Sequence, residues 1–210
     1  MKQGIIFDLD GVLLSTDEMH YTAWKTIADE LQIPFGREEN NLLRGVSRMA
    51  SLEIILNLGK VSLAEEEKQA LAEKKNSRYV ALLQSLTPDV VTQEVRDTLT
   101  ELRARGVKLA VGSSSRNAKT ILRLTDLLRY FDAVSDGTNI SRSKPDPEVF
   151  QKAAAFLGLS PDECAVVEDA VAGIDAANAG GFMSIGIGDA ASYEKADAKI
   201  DRIGDLLNLI

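Results

Sequence analysis

Apolar positions along the chain follow two rhythms, and the switch between them organises it. Gly4-Ile-Ile-Phe7 is a short, β-favouring apolar run, which predicts a buried strand ending at Asp8. From Ser15 the spacing becomes helical. Tyr21, Trp24, Ile27, Ala28 and Leu31 recur on one face, and Ser15 with Glu18 has the spacing of a capping box. Pro34 and Gly36 break that helix. Further helical segments run to about residue 86, one of them starting at Ser62 with Glu65 three positions on. No strand is predicted between residues 15 and 88.

After Thr87-Pro88 the texture changes. Val95, Leu99 and Leu102 mark a helix that stops at Gly106. Strand-like runs then alternate with helices at 107–112, 133–134, 164–167 and 182–187. Such alternation predicts a parallel sheet with helices on both faces. The isolated first strand needs partners, and the only candidates lie beyond residue 106, so the helical block reads as an insertion. The expected fold is therefore α/β: a Rossmann-like parallel-sheet core of residues 1–14 and 93–210, with an inserted helical domain at 15–92. Two linkers, near 13–16 and 86–92, form a natural hinge.

Composition narrows the partners. The chain has 210 residues, 45% hydrophobic and 27% charged, an ordinary globular balance. A net charge of -8 repels nucleic acid and anionic membrane, so neither is an expected partner. It also repels phosphate esters, so an enzyme acting on them needs a local cluster of Lys and Arg. The single cysteine, Cys164, lies in an apolar run and is expected to be buried and inert. With His20 the only histidine, a structural zinc site is excluded. The N-terminal region shows neither a signal-peptide pattern nor a membrane-length apolar stretch, so a cytoplasmic monomer is expected.

Four strand ends carry reactive groups, and ligand sites of open parallel sheets gather at the carboxyl ends of strands. In Asp8-Leu-Asp10-Gly11-Val12 the two carboxylates share one face of an extended chain. One can attack phosphorus and the other can serve as general acid and base. Gly112-Ser113-Ser114-Ser115-Arg116-Asn117 offers hydroxyls and N–H groups to a phosphate. Ser143-Lys144-Pro145-Asp146-Pro147 presents a cation on a stiff loop, and Val167-Glu168-Asp169 ends a strand in two acids. With Asp8, those acids offer the oxygen ligands that Mg²⁺ prefers. Each motif alone has a plainer reading as a polar turn, a helix cap or a solvated lysine. Together they point to phosphoryl transfer. At about 4 Å and an effective dielectric near 20, two like charges repel by about 4 kcal/mol, so a carboxylate meeting a phosphate needs Mg²⁺ and Lys144. Gly186-Ile-Gly188-Asp-Ala-Ala191 matches a dinucleotide-binding fingerprint but lies too near the C-terminus for a βαβ unit, and reads as a turn.

In this order the four motifs resemble the signature of the haloacid dehalogenase superfamily, and the helical insertion resembles its small cap domain. Thr16, His20 and Trp24, then Arg44-Gly45-Val46-Ser47-Arg48 and Ser51, with Lys75 and Asn76, are similar to the cap pattern of its β-phosphoglucomutase family. The resemblance implies a mutase interconverting β-D-glucose 1-phosphate and glucose 6-phosphate through an aspartyl-phosphate and a bisphosphate. A sugar-phosphate phosphatase is the alternative from the same superfamily, and a non-catalytic binding module on the same fold is a second one. It further implies that Asp8 is phosphorylated and Asp10 shuttles the proton. Asp8, Asp169 and the Asp10 carbonyl hold Mg²⁺, with Glu168 near. Ser113, Ser114 and Lys144 hold the transferring phosphate, and Arg48, Ser115, Arg116 and Asn117 the other one. Thr16, His20, Trp24, Arg44, Gly45, Val46, Ser51 and Lys75 are implied to meet the sugar or position the acid. Ser114 stands where these mutases often have Ala, Arg116 where they often have Lys, and Ala170 where Ser is usual. Thr92-Gln93-Glu94 replaces a usual Pro-Gly.

Overall fold

The structure is a computed structural model and describes residues 2–43 and 46–210. It divides into two compact units, one formed by 1–15 with 87–210 and the other by 16–86.

The first unit is built on six strands among the described residues: β1 (Gly4–Phe7), β2 (Lys108–Gly112), β3 (Ala133–Ser135), β4 (Cys164–Glu168), β5 (Met183–Gly186) and β6 (Ala198–Lys199). Their order across the sheet is β3-β2-β1-β4-β5-β6, and every pairing is parallel. The α/β expectation holds. The first strand is central, with Phe7 opposite Val111 on one side and Val167 on the other. Chain order reverses between β1 and β4, which makes that crevice the topological switch point. Strands buried on both faces read as continuous apolar runs, and Ile5, Ile6, Phe7, Ala165, Val166 and Val167 are all fully buried. One face packs Ile6, Ala110 and Val166 against Val149, Phe150, Ala153 and Ala154 of a helix spanning Glu148–Leu157.

The predicted strands lie within a residue or so of those observed. Only β6 was not anticipated, because two edge residues carry no periodicity. The helix after Thr92 runs Gln93–Ala104 and stops at Gly106, whose φ of 78° is the left-handed conformation that ends helices. The Gly186–Ala191 segment forms a 3-10 turn at Gly188–Ser192, not a nucleotide-binding helix. Cys164 is buried at the start of β4, and burial, with Glu163 adding to it, pushes its thiol up to about 11.

The second unit contains α1 (Asp17–Glu30), α2 (Arg37–Asn41), α3 (Arg48–Gly59) and α4 (Glu65–Leu83). Trp24, Ile27 and Ala28 of α1 meet Leu52, Ile55 and Leu56 of α3 and Ala72 of α4 in one core. Two helix starts differ from expectation. Thr16, not Ser15, is the N-cap of α1, and Glu18 pairs with Arg37 at 2.8 Å. α4 starts later than Ser62 and Glu65 suggest, with the Ala64 N–H donating to Glu67 at 2.8 Å. That start puts Glu65, Glu66 and Glu67 all in the first turn, where exposed N–H groups favour negative charge. No helix among the described residues is long and apolar enough to cross a membrane.

Candidate active site

The parallel register dictates the first cluster. Because Phe7 faces Val167, the chain delivers Asp8 and Glu168 side by side at the carboxyl ends of adjacent strands, and the Asp8 N–H donates to the Val167 carbonyl at 2.9 Å. Both carboxylates are buried, Glu168 at 1% exposure and Asp8 at 8%. Lys144, reaching in from the loop after β3, donates to Asp8 Oδ1 and Glu168 Oε1. The other Glu168 oxygen accepts the Ala170 N–H at 3.0 Å.

Two carboxylates thus share one ammonium in this buried cluster. Burial pulls the Lys144 pKa down, but the charges of Asp8 and Glu168 outweigh it and raise it above the usual lysine range. Burial and then the Asp8 charge act upward on Glu168 against the Lys144 ammonium, and its carboxyl ends above the ordinary range.

Gly11 follows with a φ of 86°, and a Cβ there would collide with the Asp169 carboxylate. The absence of a side chain at Gly11 is therefore what lets Asp169 approach the turn that carries Asp8 and Asp10. Asp169 is fixed from behind, its carbonyl accepting the Ala190 N–H at 3.0 Å. No preassembled group of three or more His, Cys, Asp or Glu side chains exists among the described residues. The donors here are two carboxylates on neighbouring strand ends, Asp8 and Asp169, with main-chain carbonyls beside them. Hard oxygen donors of this kind fit a divalent cation that prefers oxygen ligands.

The β2 end supplies the hydroxyl loop. Ser113 is buried, its N–H donates to the Ser135 carbonyl at 3.1 Å, and its Oγ accepts the Ser115 N–H at 3.2 Å. Ser115 Oγ accepts the Asn117 N–H at 3.2 Å. These hydroxyls thus order the loop's own N–H groups ahead of the helix at Ala118–Leu124. Ser114 Oγ is buried without a partner among the described residues, a costly state for a hydroxyl. Arg116 is exposed and Asn117 half-buried. Gly137 fits against this loop, where a Cβ would come within 2.5 Å of the Ser114 carbonyl and 2.9 Å of the Arg116 nitrogen.

The helical unit holds a second buried cation. Lys75 is 3% exposed, its Nζ lies 2.8 Å from His20 Nδ1, and it sits over the rings of Trp24 at 4.8 Å and Tyr79 at 4.7 Å. The His20 and Tyr79 rings lie 4.0 Å apart, and the Tyr79 hydroxyl bonds Thr16 Oγ1 at 2.8 Å. Burial first, then the charges of Lys75 and Arg48, hold His20 well below its usual pKa. The imidazole is therefore neutral and accepts from Lys75. Arg48 donates to Asn76 Oδ1 at 2.7 Å and faces Glu73 at 3.4 Å. Ser51 is buried on α3, Val46 is half-buried, and Arg44 and Gly45 lie outside the described residues. Trp24 serves the helical core and the Lys75 cluster at once.

The structure thus gathers Asp8, Lys144 and Glu168 in one unit and Thr16, His20, Trp24 and Lys75 in the other. Tyr79 was missed, though a signal exists: Lys75 and Tyr79 are four apart on α4, in step with Ala72 and Leu83, so a lysine stands inside an apolar stripe.

A Rossmann-like sheet with paired acids and a lysine at its switch point defines a class of phosphate-handling enzymes, and residues 2–181 match the haloacid dehalogenase-like hydrolase family, to which this chain belongs. Within it, the chain is 41% identical over 206 residues to the β-phosphoglucomutase of Bacillus subtilis, covering 97% of this chain and 91% of that protein. The crystal structure of β-phosphoglucomutase from Clostridium difficile superposes with a TM-score of 0.92 at 36% identity, covering 98% of this chain and 93% of that one. The fructose-1-phosphate phosphatase of Escherichia coli is 30% identical over 185 residues, 88% of this chain and 95% of that protein.

Proposed function

We propose that this chain is a phosphomutase that interconverts β-D-glucose 1-phosphate and glucose 6-phosphate, with Asp8 carrying the phosphoryl group. The observation behind the chemistry is the buried Asp8–Lys144–Glu168 cluster at the switch point, with the Asp169 carboxylate laid against Gly11. Mutase is favoured over phosphatase by the full-length likeness to the Bacillus subtilis mutase.

In the proposed cycle an Asp8 carboxylate oxygen bonds to phosphorus as the bond from phosphorus to the donor oxygen breaks. Asp10 gives a proton to the departing sugar oxygen and takes it back from the attacking hydroxyl in the reverse transfer. The bisphosphate formed on the way reorients and returns its other phosphate to Asp8. Lys144, Ser113 and Ser114 hold the oxygens of the moving group, and Ser115, Arg116 and Asn117 are assigned to the second phosphate. Asp8, Asp169 and the Asp10 carbonyl would hold Mg²⁺, with Glu168 beside them, and the bound ion supplies positive charge against the repulsion between carboxylate and phosphate. In the helical unit, Arg48 is assigned to phosphate charge. Thr16, His20, Trp24, Arg44, Gly45, Val46, Ser51 and Lys75 are assigned to the sugar or to orienting the acid.

The test is incubation with β-glucose 1-phosphate, Mg²⁺ and a trace of glucose 1,6-bisphosphate, following glucose 6-phosphate and free phosphate together. Glucose 6-phosphate without matching free phosphate is expected. Phosphate release alone would make the chain a sugar-phosphate phosphatase.

A further inference from the structure

Lys144 does its work from a loop, and that loop has little backbone bonding of its own. Between Ser141 and Pro147 the main-chain bond is Asp146 N–H to the Ser143 carbonyl, at 3.1 Å. Side chains close it instead. One oxygen of Glu148 accepts three donors from the loop's entrance: the Ser141 N–H at 3.0 Å, the Ser141 hydroxyl at 2.8 Å and the Arg142 N–H at 2.8 Å. Its other oxygen pairs with Lys152 at 2.8 Å, one turn along the same helix. At the loop's exit, Asp146 Oδ1 accepts the Glu148 N–H at 3.0 Å and Oδ2 pairs with Arg142 Nη1 at 3.0 Å.

A carboxylate in the first turn of a helix usually turns back to its own helix's free N–H groups. Glu148 opens the helix at Glu148–Leu157, yet its acceptors go to residues six and seven positions earlier. The Lys152 ammonium, with the Arg142 and Ser141 donors, lowers its pKa to about 2, so the anchor is charged at neutral pH. Lys144 lies midway between the two tied ends, with its ammonium 4.8 Å from the centre of the Phe150 ring and between Asp8 and Glu168.

We propose that Glu148 is a positioning residue for phosphoryl transfer: by pinning Ser141 and Arg142 to the start of its helix, it holds the Lys144 ammonium at the reacting carboxylate. The inference rests on the reading of Lys144 as a phosphate-holding residue. A displacement of about 1 Å at such a group is enough to cost on the order of a hundredfold in rate.

The experiment is a double-mutant cycle in the full chain, using Glu148→Ala, Glu148→Gln, Lys144→Ala and the Lys144→Ala/Glu148→Ala pair. Isomerisation and phosphate release are both followed, with KM and the unfolding temperature of each variant. Expected is a drop in kcat of about tenfold or more in Glu148→Ala at little-changed KM, partial recovery in Glu148→Gln, which keeps an acceptor, and no further loss when Glu148→Ala is added to Lys144→Ala. Full kcat in Glu148→Ala, or losses that multiply in the pair, would overturn the proposal. Should Glu148→Ala not fold, Glu148→Gln takes its place in the cycle, and full kcat there overturns it equally. A wild-type chain that only releases phosphate would sink the mutase reading while leaving the cycle readable on that product. Wild-type rates in Lys144→Ala would instead remove the basis of the positioning role.

Discussion

The two units each bury a lysine, and they stabilise it by different means. In the α/β unit Lys144 is held by formal opposite charge, between Asp8 and Glu168. In the helical unit the contacts described for Lys75 are a neutral imidazole and two aromatic faces. The first arrangement is strong but rigid in its charge requirement, because removing the lysine leaves two carboxylates uncompensated in a dry place. The second distributes the interaction over polarisable groups, each worth about 1–2 kcal/mol. A cation held between carboxylates and a cation set against an imidazole and two aromatic faces are therefore different tools, although both read as "buried lysine".

The sharpest way to break the comparison is at Asp8. Asp8→Asn removes the proposed nucleophile but leaves Lys144 its second carboxylate, so turnover should fall about ten-thousandfold or more while circular dichroism stays native. Substantial residual turnover would take the nucleophile's role away from Asp8. Next come the lysines themselves. Lys144→Met strands two buried carboxylates and should cost about 3–5 kcal/mol of stability. Lys75→Met keeps the apolar stem against its rings and should cost about 1–2 kcal/mol, read as a smaller shift in urea midpoint. Equal costs would erase the distinction.

Acid should separate the units in order. His20 is held neutral, with its folded pKa below the unfolded value of 6.5. The unfolded chain therefore binds the extra proton, and the helical unit should lose stability as pH falls below about 6.5. Glu148 has a folded pKa of about 2 against 4.5 unfolded, so its contribution is complete above 4.5 and is lost only as pH falls toward 2. Hydrogen exchange should show the helical unit loosening first on acidification. The smallest effect concerns Ser114, whose hydroxyl is buried without a partner among the described residues. Ser114→Ala should leave stability unchanged or raise it by up to about 1 kcal/mol, and should raise KM if that hydroxyl holds phosphate.

Much of this was readable in advance where one physical rule governs a run of residues. Strands buried on both faces must be continuously apolar, so β1, β2, β4 and β5 stand out as Gly4–Phe7 and its partners do. Acids placed directly after such runs were legible for the same reason. What escaped was tertiary choice among local options. The Thr16 hydroxyl faces Tyr79, and α1 starts there instead of through a Ser15–Glu18 box. Glu148 looks like an ordinary first-turn acid, and only three-dimensional contact reveals that its bonds reach backward to Ser141 and Arg142. Lys144 could be assigned to a phosphate from its motif, but its bridge to Glu168 depends on the β1–β4 register, which links positions about 160 residues apart.

That register has a temporal side. The central strand is made before both of its neighbours, β2 and β4, which begin only at residues 108 and 164. The four helices of residues 16–86 find their partners within their own stretch, and they can condense while the first strand still waits. Until β2 is made, Gly4–Phe7 is thus an unpaired apolar segment on an emerging chain. Slowing elongation before residue 112 should lengthen that exposure.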